Sequence, residues 1–285
     1  TVVTAPRVLV FDSGVGGLSV AACIHQQLPG VKLVYLADNA GFPYGAQPEA
    51  VVIERSQTLI RLALSEFPCD VIVVACNTAS TVVLPHLRAM TSIPVIGVVP
   101  AVKPAAAVSE NRRIGLLATP ATVRRPYLAD LIDEFASDCT VERLGHPDLV
   151  QWIENLVSGS PVPEQALSVA LQPFRDVGVD TVVLGCTHYP LIKDLLQSQL
   201  PTVKHWVDSG EAIARRAAWL FEQQGLEVKS LMALNNDGDV VDAALFSGDI
   251  PRGIGEFLDG LGLATNDIRG NWSSSVVGAI ASGSA

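Results

Sequence analysis

Two cysteines stand where a chain can do acid/base or nucleophilic work. Cys76 follows the apolar run 71–75 and precedes Asn77-Thr78-Ala79; Cys186 follows 181–185 and precedes Thr187-His188. Each is an apolar, β-branched stretch ending in a thiol, then amide or hydroxyl residues, then a segment of helical character. A cysteine at the carboxyl end of a parallel strand faces the crevice where open α/β sheets bind ligands. The helix start beside it favours the thiolate. Two such thiols suit a reaction that needs a base on one face of a carbon and an acid on the other. The plainer alternative is that a buried cysteine is an inert small hydrophobe. Cys23, Cys69 and Cys139 lack the pattern and read as structural. His188, two residues past Cys186, either caps the next segment or holds the thiolate and assists proton transfer. Asp12 either caps the turn after the first strand or assists a base facing Cys76.

The elements that must position these residues alternate in a regular way. Apolar runs at 7–11, 31–37, 71–75 and 95–98 read as strands, separated by helical stretches at 18–28, 47–66 and 78–90, with 38–45 a Gly/Pro-rich loop. The pattern restarts with a strand at 114–117, a turn at 119–122, and a helix carrying Leu128, Leu131, Ile132 and Phe135. A strand at 141–144, helices near 149–157 and 164–174, and the strand 181–184 follow. Strands joined by helical crossovers predict a parallel sheet covered on both faces. Because each half ends in a strand-Cys unit at a similar offset from its opening strand, the chain reads as a degenerate internal duplication. Beyond it, a helix from about 209 to 221, a strand at 242–247 and a short helix at 255–261 are expected. The Ser/Gly-rich stretch 270–285 reads as a loose tail.

Composition narrows the function. The 285 residues are 49% hydrophobic, enough for a sizeable core, yet no apolar run approaches the roughly 20 residues of a membrane span. The first residues carry no basic region followed by an apolar segment, so a cytoplasmic protein that binds no membrane is expected. The net charge of −10 and pI of 4.9 argue against nucleic-acid binding, which rests on Lys and Arg. Five cysteines without a C-x-x-C pair give neither a disulfide framework nor a zinc knuckle. Gly14-Val15-Gly16-Gly17 is neither a dinucleotide fingerprint nor a P-loop. None of the five lysines sits at a strand end, which disfavours pyridoxal phosphate.

Several motifs in register carry a resemblance. Phe11-Asp12-Ser13-Gly14-Val15-Gly16-Gly17-Leu18, Phe42-Pro43-Tyr44-Gly45, Ala75-Cys76-Asn77-Thr78-Ala79-Ser80, Leu184-Gly185-Cys186-Thr187-His188-Tyr189-Pro190 and Val207-Asp208-Ser209-Gly210 resemble the aspartate/glutamate racemase superfamily. The Pro-Tyr-Gly and Cys-Thr-His forms are similar to its glutamate branch. The resemblance implies two similar parallel-sheet α/β domains related by pseudo-symmetry, with the active site in the cleft between them. The first would comprise 1–98 plus 208–285, carrying Asp12 and Cys76. The second would be 99–207, carrying Thr119, Cys186 and His188.

It also implies interconversion of L- and D-glutamate without cofactor or metal, supplying D-glutamate for peptidoglycan. Cys186 would take the α-proton from the L-enantiomer and Cys76 from the D-enantiomer, assisted by Asp12, His188 and Glu154. Asp12, Ser13, Pro43, Tyr44, Gly45, Asn77, Thr78, Thr119, Thr122, Thr187 and His188 would hold the substrate. A homodimer and activation by a cell-wall precursor are implied partners. The residues alone leave three rivals: an aspartate racemase, a thiol redox protein, and a non-catalytic binder of acidic amino acids.

Overall fold

The computed structural model describes residues 5–233, 239–273 and 276. Chain contacts divide it into two compact units, Thr1–Val98 with Gly210–Ala285, and Val99–Ser209.

The first unit is built on β1 (Arg7–Asp12), β2 (Lys32–Ala37), β3 (Val71–Val74) and β4 (Val95–Ile96). The second uses β5 (Arg113–Ala118), β6 (Thr140–Gly145), β7 (Thr181–Leu184) and β8 (His205–Val207). The chain then adds β9 (Val241–Phe246) and β10 (Ile268–Arg269) to the first sheet. Strand order is β10-β9-β2-β1-β3-β4 in the first unit and β6-β5-β7-β8 in the second, with every pairing parallel. The four-strand cores β2-β1-β3-β4 and β6-β5-β7-β8 have the same order, as an internal duplication predicts.

The strands form where β-branched and aliphatic runs can be buried on both faces. In the first unit Leu9, Phe11, Val34, Leu36, Ile72 and Val74 point to one side and pack on Leu59, Ile60 and Ala63 of the helix Glu49–Glu66. Val8, Val10, Leu33 and Tyr35 are buried on the other, where the helices Leu18–Gln27 and Gly210–Gln223 pack against each other. In the second unit two apolar clusters lie on opposite faces of β5 and β7. One centres on Ile153, Phe174, Val182 and Leu184, the other on Ala105, Leu116, Leu128 and Val183. Each fully buried Val, Leu or Ile contributes about 1.5–3 kcal/mol of transfer free energy.

Helix boundaries depart from the sequence expectation where proline intervenes. The helix expected over 78–90 is two, Asn77–Val82 and Leu84–Met90, the second with Pro85 in its first turn. Proline has no N–H to donate and suits a helix start. Likewise 164–174 is split into Glu164–Ala170 and Gln172–Val177 ahead of Pro173. The turn at 119–122 closes into a short helix, Pro120–Val123, and the loop 38–45 holds two 3-10 turns, Asn39–Gly41 and Tyr44–Ala46. The helix Val102–Val108 was not expected from the sequence. Residues 274, 275 and 277–285 of the expected tail lie outside the described residues. Among the described residues no helix is long and apolar enough to cross a membrane.

Candidate active site

In the first unit the candidate residues gather at the carboxyl ends of neighbouring strands. Ala75 N–H donates to Phe11 O at 2.7 Å, extending the β1–β3 ladder by one step, so that Asp12 ends β1 and Cys76 lies just past the end of β3. Cys76 is still extended (φ −130°, ψ 123°) and caps the helix Asn77–Val82, its Sγ accepting from Ala79 N–H at 3.5 Å. That amide is a donor positioned to stabilise a thiolate. Cys76 is 8% exposed, close to dry but open on one side.

Asp12 is buried, and its two carboxylate oxygens accept from Ser13 N–H and Gly17 N–H, each at 2.7 Å. The capping role weighed from sequence is therefore present, and it fixes the carboxylate at the end of β1. Ser13 and Asn77 are buried, Thr78 half-buried, and Pro43 and Gly45 exposed on the 3-10 loop after β2. Tyr44 is buried against Phe11, with ring centroids 6.2 Å apart. Its hydroxyl donates to Asp38 Oδ2 at 2.5 Å. Burial first, then the Asp38 carboxylate, pushes this phenol well above its ordinary value, so it stays protonated and donating.

The second unit repeats the backbone and changes the chemistry. Gly185 N–H donates to Leu117 O at 2.7 Å, which sets Thr119 and Cys186 past the ends of β5 and β7. A Cβ at position 185 would lie 2.9 Å from that same carbonyl, so the close approach requires glycine. Cys186 is 9% exposed. Its Sγ lies 3.7 Å from His188 Nδ1, and His188 Nε2 lies 2.7 Å from Glu154 Oε1 on the helix Leu149–Val157. An ionised carboxylate only accepts, so Nε2 carries the proton toward Glu154 and Nδ1 faces the sulfur. Burial works against the imidazolium. The hydrogen bonds and charges of Cys186 and Glu154 outweigh it and hold His188 well above its ordinary value. His188 thus bridges Glu154 and Cys186, and both partners favour its charged form.

Thr119 caps the helix Pro120–Val123, its Oγ1 accepting from Thr122 N–H at 3.3 Å and lying 3.1 Å from the Thr122 hydroxyl. Thr187 is buried next to Cys186. Among the described residues no group of three or more His, Cys, Asp or Glu is placed to hold a metal ion.

The sequence reading passed over Asp38, Arg55 and Ser247. Arg55 lies on the buried face of its helix with Val52, Ser56, Leu59 and Ile60. A guanidinium at helical spacing within an apolar stripe signals a buried carboxylate partner, because unpaired charge is not buried. That partner is Asp38, which receives Arg55 Nε and Nη2 at 2.7 Å each.

Known proteins are similar to this chain over most of its length. The Asp/Glu/Hydantoin racemase family matches residues 9–217. Glutamate racemase of Shewanella loihica is 51% identical over 216 residues, 76% of this chain and 81% of that protein. Glutamate racemase of Klebsiella pneumoniae is 49% identical over 227 residues, 79% of this chain and 80% of that protein. Among solved structures, Escherichia coli glutamate racemase in complex with L-glutamate and the activator UDP-MurNAc-Ala superposes with a TM-score of 0.83. It is 42% identical and covers 94% of this chain and 99% of its own. A Bacillus anthracis glutamate racemase superposes with a TM-score of 0.75 at 28% identity, covering 93% of this chain and 97% of its own. The chain thus belongs to the Asp/Glu/Hydantoin racemase family.

Proposed function

We propose that this chain interconverts L- and D-glutamate by a 1,1-proton transfer in which Cys76 and Cys186 are the acid/bases. The observation that carries the reading is the pair of thiols at equivalent strand ends, within a family whose members at about half identity are glutamate racemases.

In the L-to-D direction the Cys186 thiolate takes the α-proton, becoming a thiol and leaving a carbanion. The Cys76 thiol then delivers its proton to the opposite face and is left as the thiolate. The reverse direction exchanges the roles. The His188 ring, anchored by Glu154, faces the Cys186 sulfur through which the proton passes. Cys76 has the Ala79 amide, and Asp12, at the end of the adjacent strand, is assigned to assist it. A thiolate is a weak base for a C–H acid, so the carbanion needs fixed donors in a water-poor site. Ser13, Asn77, Thr78, Thr119, Thr122 and Thr187, with the loop Pro43-Tyr44-Gly45, are the groups assigned to the ammonium and carboxylates. The Tyr44 hydroxyl is committed to Asp38, which leaves this residue its main chain for substrate.

The product supplies D-glutamate for peptidoglycan, and a cytoplasmic location suits that role. Activation by a cell-wall precursor belongs to the same reading, supported by the activator bound to the E. coli enzyme; a homodimer is the expected assembly.

The test is α-proton exchange in D2O followed by NMR from each enantiomer separately, in the wild type and in Cys76→Ser and Cys186→Ser. Deuterium incorporation with interconversion in the wild type, and loss of interconversion in both variants, is the expected result. No exchange from either enantiomer would sink the reading, and unaltered glutamate binding without turnover would favour the plain binder.

A further inference from the structure

We propose that Ser247, acting with Asp38 and Arg55, is a positioning residue that fixes the loop Pro43-Tyr44-Gly45 for substrate. The proposal rests on the racemase reading above and assigns a task to a segment beyond the family match at 9–217. Ala37 and Phe246 are partners in the β2–β9 register, so Asp38 and Ser247 are the first residues past two adjacent strand ends. Both are buried. Ser247 O–H donates to Asp38 Oδ1 at 2.6 Å, and its Oγ accepts from Ala40 N–H at 3.1 Å. Next to it, Gly248 N–H donates to Asn39 Oδ1 at 2.7 Å, and the Asn39 amide donates to Asp249 O at 2.8 Å. The turn after β9 thus grips Asn39 and Ala40 of the 3-10 turn Asn39–Gly41.

The Asp38 carboxylate collects Arg55 twice, Ser247 once and the Tyr44 hydroxyl once. Four donors fill the lone-pair sites of an ionised carboxylate, so Asp38 is a hub and not a reacting group. A Cβ on Gly41 would lie 2.7 Å from Arg55 Nε, 2.8 Å from Asp38 Oδ2 and 3.1 Å from the Tyr44 ring, so the hub is packed without slack. A buried ion pair is weak evidence for stability by itself, but a fully satisfied one specifies one geometry. What it specifies here is the place of Tyr44, and hence of the exposed Gly45 backbone one residue on. Two isolated 3-10 turns could not hold that backbone alone.

The loop is assigned to substrate itself and not to the reacting hydrogen, so it serves ground and transition states alike. Loss of such uniform binding raises KM and leaves kcat. The experiment is steady-state racemisation in both directions, with amide hydrogen exchange over residues 39–46, in wild type, Ser247→Ala and Ser247→Thr. Ser247→Ala is expected to raise KM about tenfold for both enantiomers with kcat within about threefold, and to speed exchange at Ala40. Ser247→Thr keeps the hydroxyl and should restore KM. Asn39→Ala, which cuts the outer tie without touching the buried carboxylate, should move KM the same way by less; it decides the matter if Ser247→Ala does not fold. A racemising wild type whose KM is unmoved in the folded variants would overturn the positioning role and leave the function standing. So would a folded Ser247→Thr that fails to rescue. A wild type that does not racemise would overturn both.

Discussion

Ala75 donates to Phe11 O and Gly185 donates to Leu117 O at the same 2.7 Å, so the two cysteines sit one step beyond equivalent ladder bonds. On that register Asp12 corresponds to Ala118, and Thr78 to His188, each two residues past its cysteine. The first unit places its acid on the adjacent strand end and gives the sulfur an amide donor. The second has no acid at the adjacent strand end and reaches across to a helix for Glu154, through an imidazole. The repeated backbone fixes where a thiol stands; the accessory groups were supplied separately on each side. Two bases that differ in support should differ in how readily each gives up and regains a proton.

The largest effect is expected at the thiols. Cys76→Ser and Cys186→Ser should each lower racemisation by at least about 10³-fold, because a hydroxyl is some units less acidic and supplies no anion at neutral pH. Assay of both variants from both enantiomers checks this. A variant that keeps a tenth of the activity would remove its cysteine from the proton path.

The imidazole–carboxylate relay comes next. His188→Asn should lower kcat about 10²-fold, and Glu154→Gln, which leaves the imidazole in place but loosens its anchor, about tenfold. Enantiomers have equal free energy, so kcat/KM must stay equal in the two directions for every variant. The asymmetry must therefore be read in kcat alone, or in the primary isotope effects of α-deuterated L- and D-glutamate. Removing support from Cys186 should raise the isotope effect more for the L-enantiomer; equal changes from both sides would break the comparison. Stability carries a second signature. The folded pKa of His188 lies well above 6.5, so the stabilisation from its charged form is complete below about that pH and is lost as pH rises through the folded value. The stability gap between wild type and His188→Asn should therefore narrow on going to alkaline pH.

How much of this was legible in the sequence follows from the range of the interactions. The strands and the paired Cys signals are local, and β1, β3, β5 and β7 formed where apolar runs predicted them. The same strand order in both units fits the restart of the pattern at 114. Helix interruptions at Pro85 and Pro173 were equally local and could have been read from proline chemistry. By contrast the Asp38–Ser247 bond joins residues more than two hundred positions apart, and no periodicity announces it. Only Arg55, on an apolar helix face, hinted that an acid must be buried nearby. Glu154 had no signal of its own beyond resemblance, since its spacing to His188 acquires meaning only once the helix lies beside β7's end.

The smallest effect concerns how each cysteine-bearing strand begins. Asp70 precedes β3 and Asp180 precedes β7; their N–H groups donate to Arg7 O and Arg113 O at 2.8 and 3.1 Å, again equivalent ladder positions. Asp70 Oδ2 accepts from Arg7 N–H at 2.8 Å. Asp180 is buried and collects Ser109 O–H, Glu110 N–H, Asn111 N–H and Thr181 O–H at 2.7–2.9 Å. Burial opposes its charge, but those donors prevail and pull its pKa from 3.8 to about 2. That depression corresponds to about 2 kcal/mol at neutral pH. The contribution is present above about pH 4 and is lost as pH falls through about 2. Asp180→Asn should therefore destabilise the second unit by about 2 kcal/mol at pH 7, since the neutral amide gives up the charge that these four donors stabilise. Asp70→Asn should cost within about 0.5 kcal/mol, as befits an exposed site with fewer donors. Hydrogen exchange of the β7 and β3 amides reads each unit separately. The Asp180 gap should close toward pH 2, and equal costs at the two positions would mean that the strand starts, unlike the strand ends, are furnished alike.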